Sequence, residues 1–152
     1  MTGSGPRSVR VFAPATVANM ACGFDVMGLA LESPGDEVVA RFAEGSGIVS
    51  LVVTGADNQL SSDPARDCAA LAGAAALARL GVNTGVALEV HKGLPLSAGM
   101  GGSAASAVGG AVAVNALLGG SLSDEQLLAC AMEGEAGGSG AGHSDNAAPC
   151  LL

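Results

Sequence analysis

Tryptophan and tyrosine are absent from the chain, and phenylalanine occurs only as Phe12, Phe24 and Phe42. A core without large rings has to be closed by small aliphatic side chains, mainly Ala, Val and Leu, and tolerates few voids. Basic residues are also scarce: six Lys and Arg stand against fourteen Asp and Glu, a formal charge of -8. They are scattered along the chain, so no basic patch opposes the net repulsion of a nucleic-acid backbone, and no nucleic-acid partner is expected. The four cysteines, Cys22, Cys68, Cys130 and Cys150, form no C-x-x-C pair, and no charged n-region followed by an apolar h-region opens the chain. That pattern implies a reducing, cytoplasmic setting. Long hydrophobic runs are missing too. The longest, Ala104 to Leu118, is interrupted by Gly109, Gly110 and Asn115 and falls short of the roughly eighteen apolar residues that a membrane span needs. It reads as a buried helix, with no membrane partner.

What is present suits one soluble domain: 152 residues with 49% hydrophobic content can bury a core. Met1 to Ser8 reads as a frayed start, Val9 to Ala13 as a strand ended by Pro14, and Pro14 to Gly28 as a glycine-containing loop and turn. Glu37 to Phe42 and Ile48 to Thr54 read as strands of a hairpin around Glu44-Gly45-Ser46-Gly47. Asp63-Pro64 is expected to open a helix that runs to Gly81. Val86 to His91 reads as a strand, Gly93 to Gly102 as a loop, and Ser103 to Leu118 as a helix stopped by Gly119-Gly120. Ser123 and Gln126 form a capping-box pattern for a third helix through Met132 or Glu135, and Gly137 to Pro149 reads as a closing loop.

The chemistry concentrates in the loop from Pro95 to Ser106. Pro95, Ser97, Ala98, Gly99, Met100, Gly101, Gly102, Ser103, Ala104 and Ser106 join a strand to a helix, and the glycines leave backbone N–H groups free to face an anion at the positive end of that helix. Ser103 offers a hydroxyl to cap the helix or to reach a nucleotide-bound magnesium ion. A Walker A loop is excluded, because Gly102 stands where the lysine before Ser103 belongs. The dinucleotide fingerprint lacks its acidic residue about twenty positions on. A Ser103, His143, Asp145 hydrolase triad lacks the final glycine of a nucleophile elbow. By itself the loop supports either an anion site or a glycine-rich turn that serves packing.

Two further segments narrow this. Pro14-Ala15-Thr16-Val17-Ala18-Asn19-Met20-Ala21-Cys22-Gly23-Phe24-Asp25-Val26-Met27-Gly28, the loop, and Glu135 followed by Gly140-Ala141-Gly142-His143-Ser144-Asp145-Asn146-Ala147-Ala148-Pro149 together resemble, in order and spacing, the homoserine kinases of the GHMP small-molecule kinase superfamily. The resemblance implies an α+β fold of the ribosomal protein S5 domain 2-like type. It implies ATP and L-homoserine as substrates, with O-phospho-L-homoserine as the product on the way to threonine. Asn19 and Asp25 would hold the substrate ammonium unless they merely cap a turn, and His143 and Asn146 would contact homoserine, with Asn146 beside the attacking hydroxyl. Lys92 would offset phosphoryl charge unless it is a solvated surface lysine. Ser103 and Glu135 would bind Mg2+, with Glu133 as the competing carboxylate. Catalysis would rest on positioning more than on a base.

The chain departs from the pattern at Gly102, where the superfamily usually has a serine, and at Asp67, where relatives often have an asparagine near the nucleotide. Met100 stands for leucine, and Met20-Ala21-Cys22 for the commoner Leu-Gly-Pro. Family members continue into a C-terminal portion that carries substrate-binding arginines. The chain is therefore expected to be the N-terminal part of such an enzyme, closed by an interrupted strand or loop at Pro149-Cys150-Leu151-Leu152. Exposed apolar surface there would favour self-association, in the simplest case a homodimer. The alternatives are a silent nucleotide-binding module, suggested by Gly102 and Asp67, or a GHMP kinase with another small-molecule substrate.

Overall fold

In the computed structural model the described residues are 8–20, 22, 27–55, 60, 62–140, 142 and 144–152. Four strands form one sheet: β1 (Ser8–Ala18), β2 (Gly28–Ala43), β3 (Gly47–Gly55) and β4 (Gly85–Lys92), in the order β1-β2-β4-β3. The helices are α1 (Cys68–Leu80), α2 (Gly102–Leu117), α3 (Asp124–Ser139) and α4 (Ser144–Leu151). This is the mixed α+β arrangement that the sequence leads one to expect. No helix among the described residues is long and apolar enough to cross a membrane. The frayed start expected at Met1 to Ser8 lies outside the described residues except for Ser8, which already belongs to β1.

The expected hairpin does not form. β2 pairs antiparallel with β4, and β3 pairs parallel with β4 on its other side, so the two strands flank β4 instead of each other. Their connection arches over the start of β4, where Gly47 N donates to Thr84 O. Gly85 permits this crossing, because a Cβ there would lie 2.5 Å from Ala43 O. Nor does Pro14 end β1. β1 is an edge strand, where a missing N–H is tolerated, and it continues to Ala18 through a register shift between Pro14 and Thr16.

Strand alternation turns Val38 and Ala40 of β2, Val86, Leu88 and Val90 of β4, and Ala13 of β1 toward the helices, where they are buried. The opposite face carries Arg10 paired with Glu37 and Arg41 paired with Glu89. α2 is buried nearly all round, as befits a helix held between the sheet and other helices. Side-chain absence makes that packing work. A Cβ on Gly109 would sit 2.6 Å from Val38 Cγ2, one on Gly110 2.2 Å from Ala69 O, and one on Gly134 of α3 2.5 Å from Cys68 O. The scarcity of large rings in the sequence is thus matched by backbones that approach closely.

Helix starts and ends differ in three places. Asp63 closes a separate turn, with its carboxylate accepting from Ala65 N at 3.0 Å, and α1 begins again at Cys68. Asp67 is its cap, accepting from Ala70 N at 3.0 Å. α3 has the expected capping box, with Gln126 N donating to Ser123 Oγ and Ser123 N to Gln126 Oε1, but runs on to Ser139. The closing segment is the helix α4, which contains Pro149, and neither a loop nor a strand. Pro149 has no N–H to give the Asp145 carbonyl four residues back. That carbonyl faces Gly28, where a Cβ would lie 2.2 Å from it.

Candidate active site

The loop between β4 and α2 lines a cavity of about 430 Å3 with residues 95–103, joined by Leu60, Arg66, Asp67, Cys68, Lys92, Ser106, Gly138 and Ser139. That size suits a small-molecule ligand. Positive φ recurs at Ser97 (56°), Gly99 (68°) and Gly101 (68°), with Ala98 and Met100 between them outside that region. Where such residues alternate with right-handed ones, successive N–H groups turn toward one concave side that can receive an anion. α2 then starts at Gly102 and points its N-terminus into the same place. Its cap is Gly101, with no side-chain hydrogen bond, so Ser103 is not a helix cap. A Cβ on Gly102 would meet nothing closer than Lys92 Nζ at 3.8 Å, so the missing serine leaves room and no distortion.

Instead, Ser103 Oγ donates to Glu135 Oε1 at 2.7 Å, across 32 residues of chain. Glu135 is only 3% exposed. A buried carboxylate beside a hydroxyl at the edge of the glycine-rich loop is a pair of hard oxygen donors. It fits Mg2+, which takes one or two protein oxygens and fills its remaining positions with phosphates and water. Glu133, the competing carboxylate, is committed elsewhere: it pairs with Arg79, which holds its carboxyl below the usual range.

Lys92 is not a surface lysine. Its side chain is 5% exposed and forms an ion pair with the fully buried Asp36, while Nζ also donates to Gly102 O at 3.0 Å and Ser106 Oγ at 2.8 Å. Asp36 accepts in addition from Gly93 N at 3.0 Å, Leu94 N at 3.2 Å and Ser106 Oγ at 3.1 Å. One carboxylate therefore ties the entrance of the loop to the first turns of α2. Asp36 was not singled out from sequence, although a signal existed: it shares the inward side of β2 with Val38 and Ala40, as Lys92 shares that of β4 with Val86, Leu88 and Val90. Arg66, exposed at the cavity, was also missed.

Asp67 lines the cavity while capping α1, and burial raises its pKa against the lowering effect of the Ala70 and Ala69 N–H groups. Cys68 beside it is pushed up to about 11, first by burial and then by Asp67 and Glu135. Ala104 does not line the cavity and is buried in the core.

Asn146 lies at the other side of the loop. It accepts at Oδ1 from Thr16 Oγ at 2.9 Å, and a Cβ on Gly101 would sit 3.0 Å from that same Oδ1. Asn19, just after β1, lies in the left-handed region at φ 58° and is exposed. The other two expected substrate contacts, Asp25 and His143, lie outside the described residues.

The profile of the GHMP kinases N terminal domain matches residues 66–152, from α1 through α4. The chain belongs to this family. It is 43% identical over 148 residues to a protein named homoserine kinase from Xanthomonas campestris pv. campestris, an alignment covering 97% of this chain and 46% of that protein. With the homoserine kinase of Arabidopsis thaliana it shares 46% identity over 149 residues, 95% of this chain and 40% of that protein. The crystal structure of homoserine kinase from Cytophaga hutchinsonii superimposes with a TM-score of 0.89 at 43% identity, covering 99% of this chain and 48% of that one. The chain thus spans about half the length of the relatives that it matches. The glycine-rich loop at residues 95–103 lies within the matched stretch.

Proposed function

We propose that this GHMP domain is the nucleotide-binding part of a kinase that transfers the γ-phosphoryl group of ATP to the hydroxyl of L-homoserine. The observation that carries the reading is identity of 40–46% with proteins named homoserine kinase along 94–99% of the chain. The geometry is compatible with it. ATP would lay its phosphates along residues 97–103, where the alternating loop and the α2 N-terminus supply N–H donors. Ser103 and Glu135 would hold Mg2+. When bound, the ion neutralises charge on the β- and γ-phosphates.

Lys92 serves this site less as a free cation than as a strut, since Asp36 already balances its charge. It keeps Gly102 and Ser106 in register with the end of β4. Asn146, touching the loop at Gly101, would orient the acceptor hydroxyl. An amide is no base near pH 7, and a loose phosphoryl-transfer transition state demands little of one, so positioning and charge stabilisation carry the rate. Asn19, Asp25 and His143 would complete the amino-acid side of the site, as the family resemblance implies.

The protein expressed from its complete reading frame, given MgATP and L-homoserine, mevalonate or galactose in turn, tests this. Formation of O-phosphohomoserine with a kcat/KM well above that for the other two is the expected result. Preference for mevalonate or galactose would overturn the assignment.

A further inference from the structure

We infer that Thr16 is a positioning residue for the proposed transfer: its hydroxyl fixes which end of the Asn146 amide meets the acceptor substrate. The inference rests on the kinase reading above. Thr16 is fully buried, so it cannot touch a substrate itself. Its backbone N donates to Met100 O at 3.1 Å, and its Oγ donates to Asn146 Oδ1 at 2.9 Å. Three distant segments therefore meet at one threonine: β1, the phosphate loop and the first turn of α4. Gly101 closes the junction, since a Cβ there would lie 2.1 Å from Thr16 Oγ.

An amide side chain has two nearly isosteric ends with opposite hydrogen-bonding character. On one side of Asn146 stands Asp145, whose Oδ1 lies 3.4 Å from Nδ2 and can only accept when ionised. The carbonyl end would be repelled there. On the other side, the Thr16 hydroxyl donates to the carbonyl end; it could accept from Nδ2 instead, but its own buried proton would then have no acceptor among the described residues. Both neighbours thus favour one orientation, and Nδ2 keeps an N–H for an oxygen of the substrate or of the phosphoryl group. Without the Thr16 hydroxyl only the long contact to Asp145 holds the amide. A turned-over Asn146 would offer a carbonyl oxygen to phosphoryl oxygens and repel them.

The experiment compares the full-length wild-type protein with Thr16→Val, Thr16→Ala and Thr16→Ser in steady-state kinetics with homoserine and MgATP. Thr16→Val preserves shape and removes the hydroxyl. It is expected to lower kcat at least tenfold while KM for ATP stays within twofold, and Thr16→Ser is expected to recover most of the loss. In an Asn146→Ala background the Thr16→Val change should have almost no further effect, because the two act as a unit. Thr16→Ala reads the same loss if the valine variant does not fold. Unchanged kcat in both hydroxyl-free variants, equal impairment of Thr16→Ser and Thr16→Val, or full additivity with Asn146→Ala would overturn the inference while leaving the homoserine reading intact. A wild-type protein inert toward homoserine overturns both.

Discussion

Replacing Asp36 by asparagine gives a sharp test of how this site is held together. The change keeps an oxygen for the Gly93 and Leu94 N–H groups and removes the charge that balances Lys92. Because Asp36 is fully buried and the Lys92 side chain is 5% exposed, water cannot take its place. Breaking a buried pair in this way costs about 3–5 kcal/mol, which at ~2–4 °C per kcal/mol for a chain of this size lowers the melting temperature by roughly 6–20 °C. Thermal unfolding followed by circular dichroism reads this directly. Two controls bracket it. Glu37→Gln, which breaks the exposed pair with Arg10, should change stability by less than about 1 kcal/mol. Asp36→Asn combined with Lys92→Met should be more stable than Asp36→Asn alone, since it removes the stranded ammonium. An Asp36→Asn protein as stable as Glu37→Gln, or a double variant no better than the single, would refute the claim that this pair anchors the loop.

Two other outcomes follow from packing and titration. Gly110→Ala would push a methyl group toward the Ala69 carbonyl, only 2.2 Å from its Cβ position. Separating α1 from α2 should cost at least the ~1–3 kcal/mol typical of overpacking, read as a lower urea midpoint, and a neutral effect would mean that the helices can slide apart freely. The cysteines should differ in reactivity. Cys22 is exposed, while burial raises the Cys68 thiol to about 11 and Cys150 to about 12. At pH 8 about one in a thousand Cys68 thiols and one in ten thousand Cys150 thiols is a thiolate, so alkylation of the folded protein should mark Cys22 first. The folded thiols sit above their ordinary 9.0, so their contribution to stability is full below about pH 9. It is lost as pH rises toward 11–12. Alkaline titration of unfolding should show that loss, and its absence would contradict their burial.

Local signals were legible where a short stretch decides its own conformation. The glycines around Met100 mark a strand-to-helix loop because their backbones are free to turn, and the Ser123–Gln126 box starts α3 because both partners lie within one turn. The period-two pattern of β2 and β4 was visible as well, with Asp36 and Lys92 in line with the apolar residues. What that alignment meant was hidden, because the charges are tolerable inside only when β2 lies directly beside β4. Pairing between strands is a long-range choice. The turn at Glu44–Gly47 looks like a hairpin on its own, yet β4, which follows α1 in the chain, lies between the two strands.

Residue types and spacing along the chain were enough to indicate a small-side-chain core, a glycine-rich strand-to-helix loop and the family, since each depends on chain-local chemistry. Tertiary structure decided how those parts cooperate. It set Glu135 against Ser103, balanced Lys92 with Asp36, and brought Thr16 to Asn146 across 130 residues. Those contacts depend on which surfaces bury each other, and no window of sequence contains both partners.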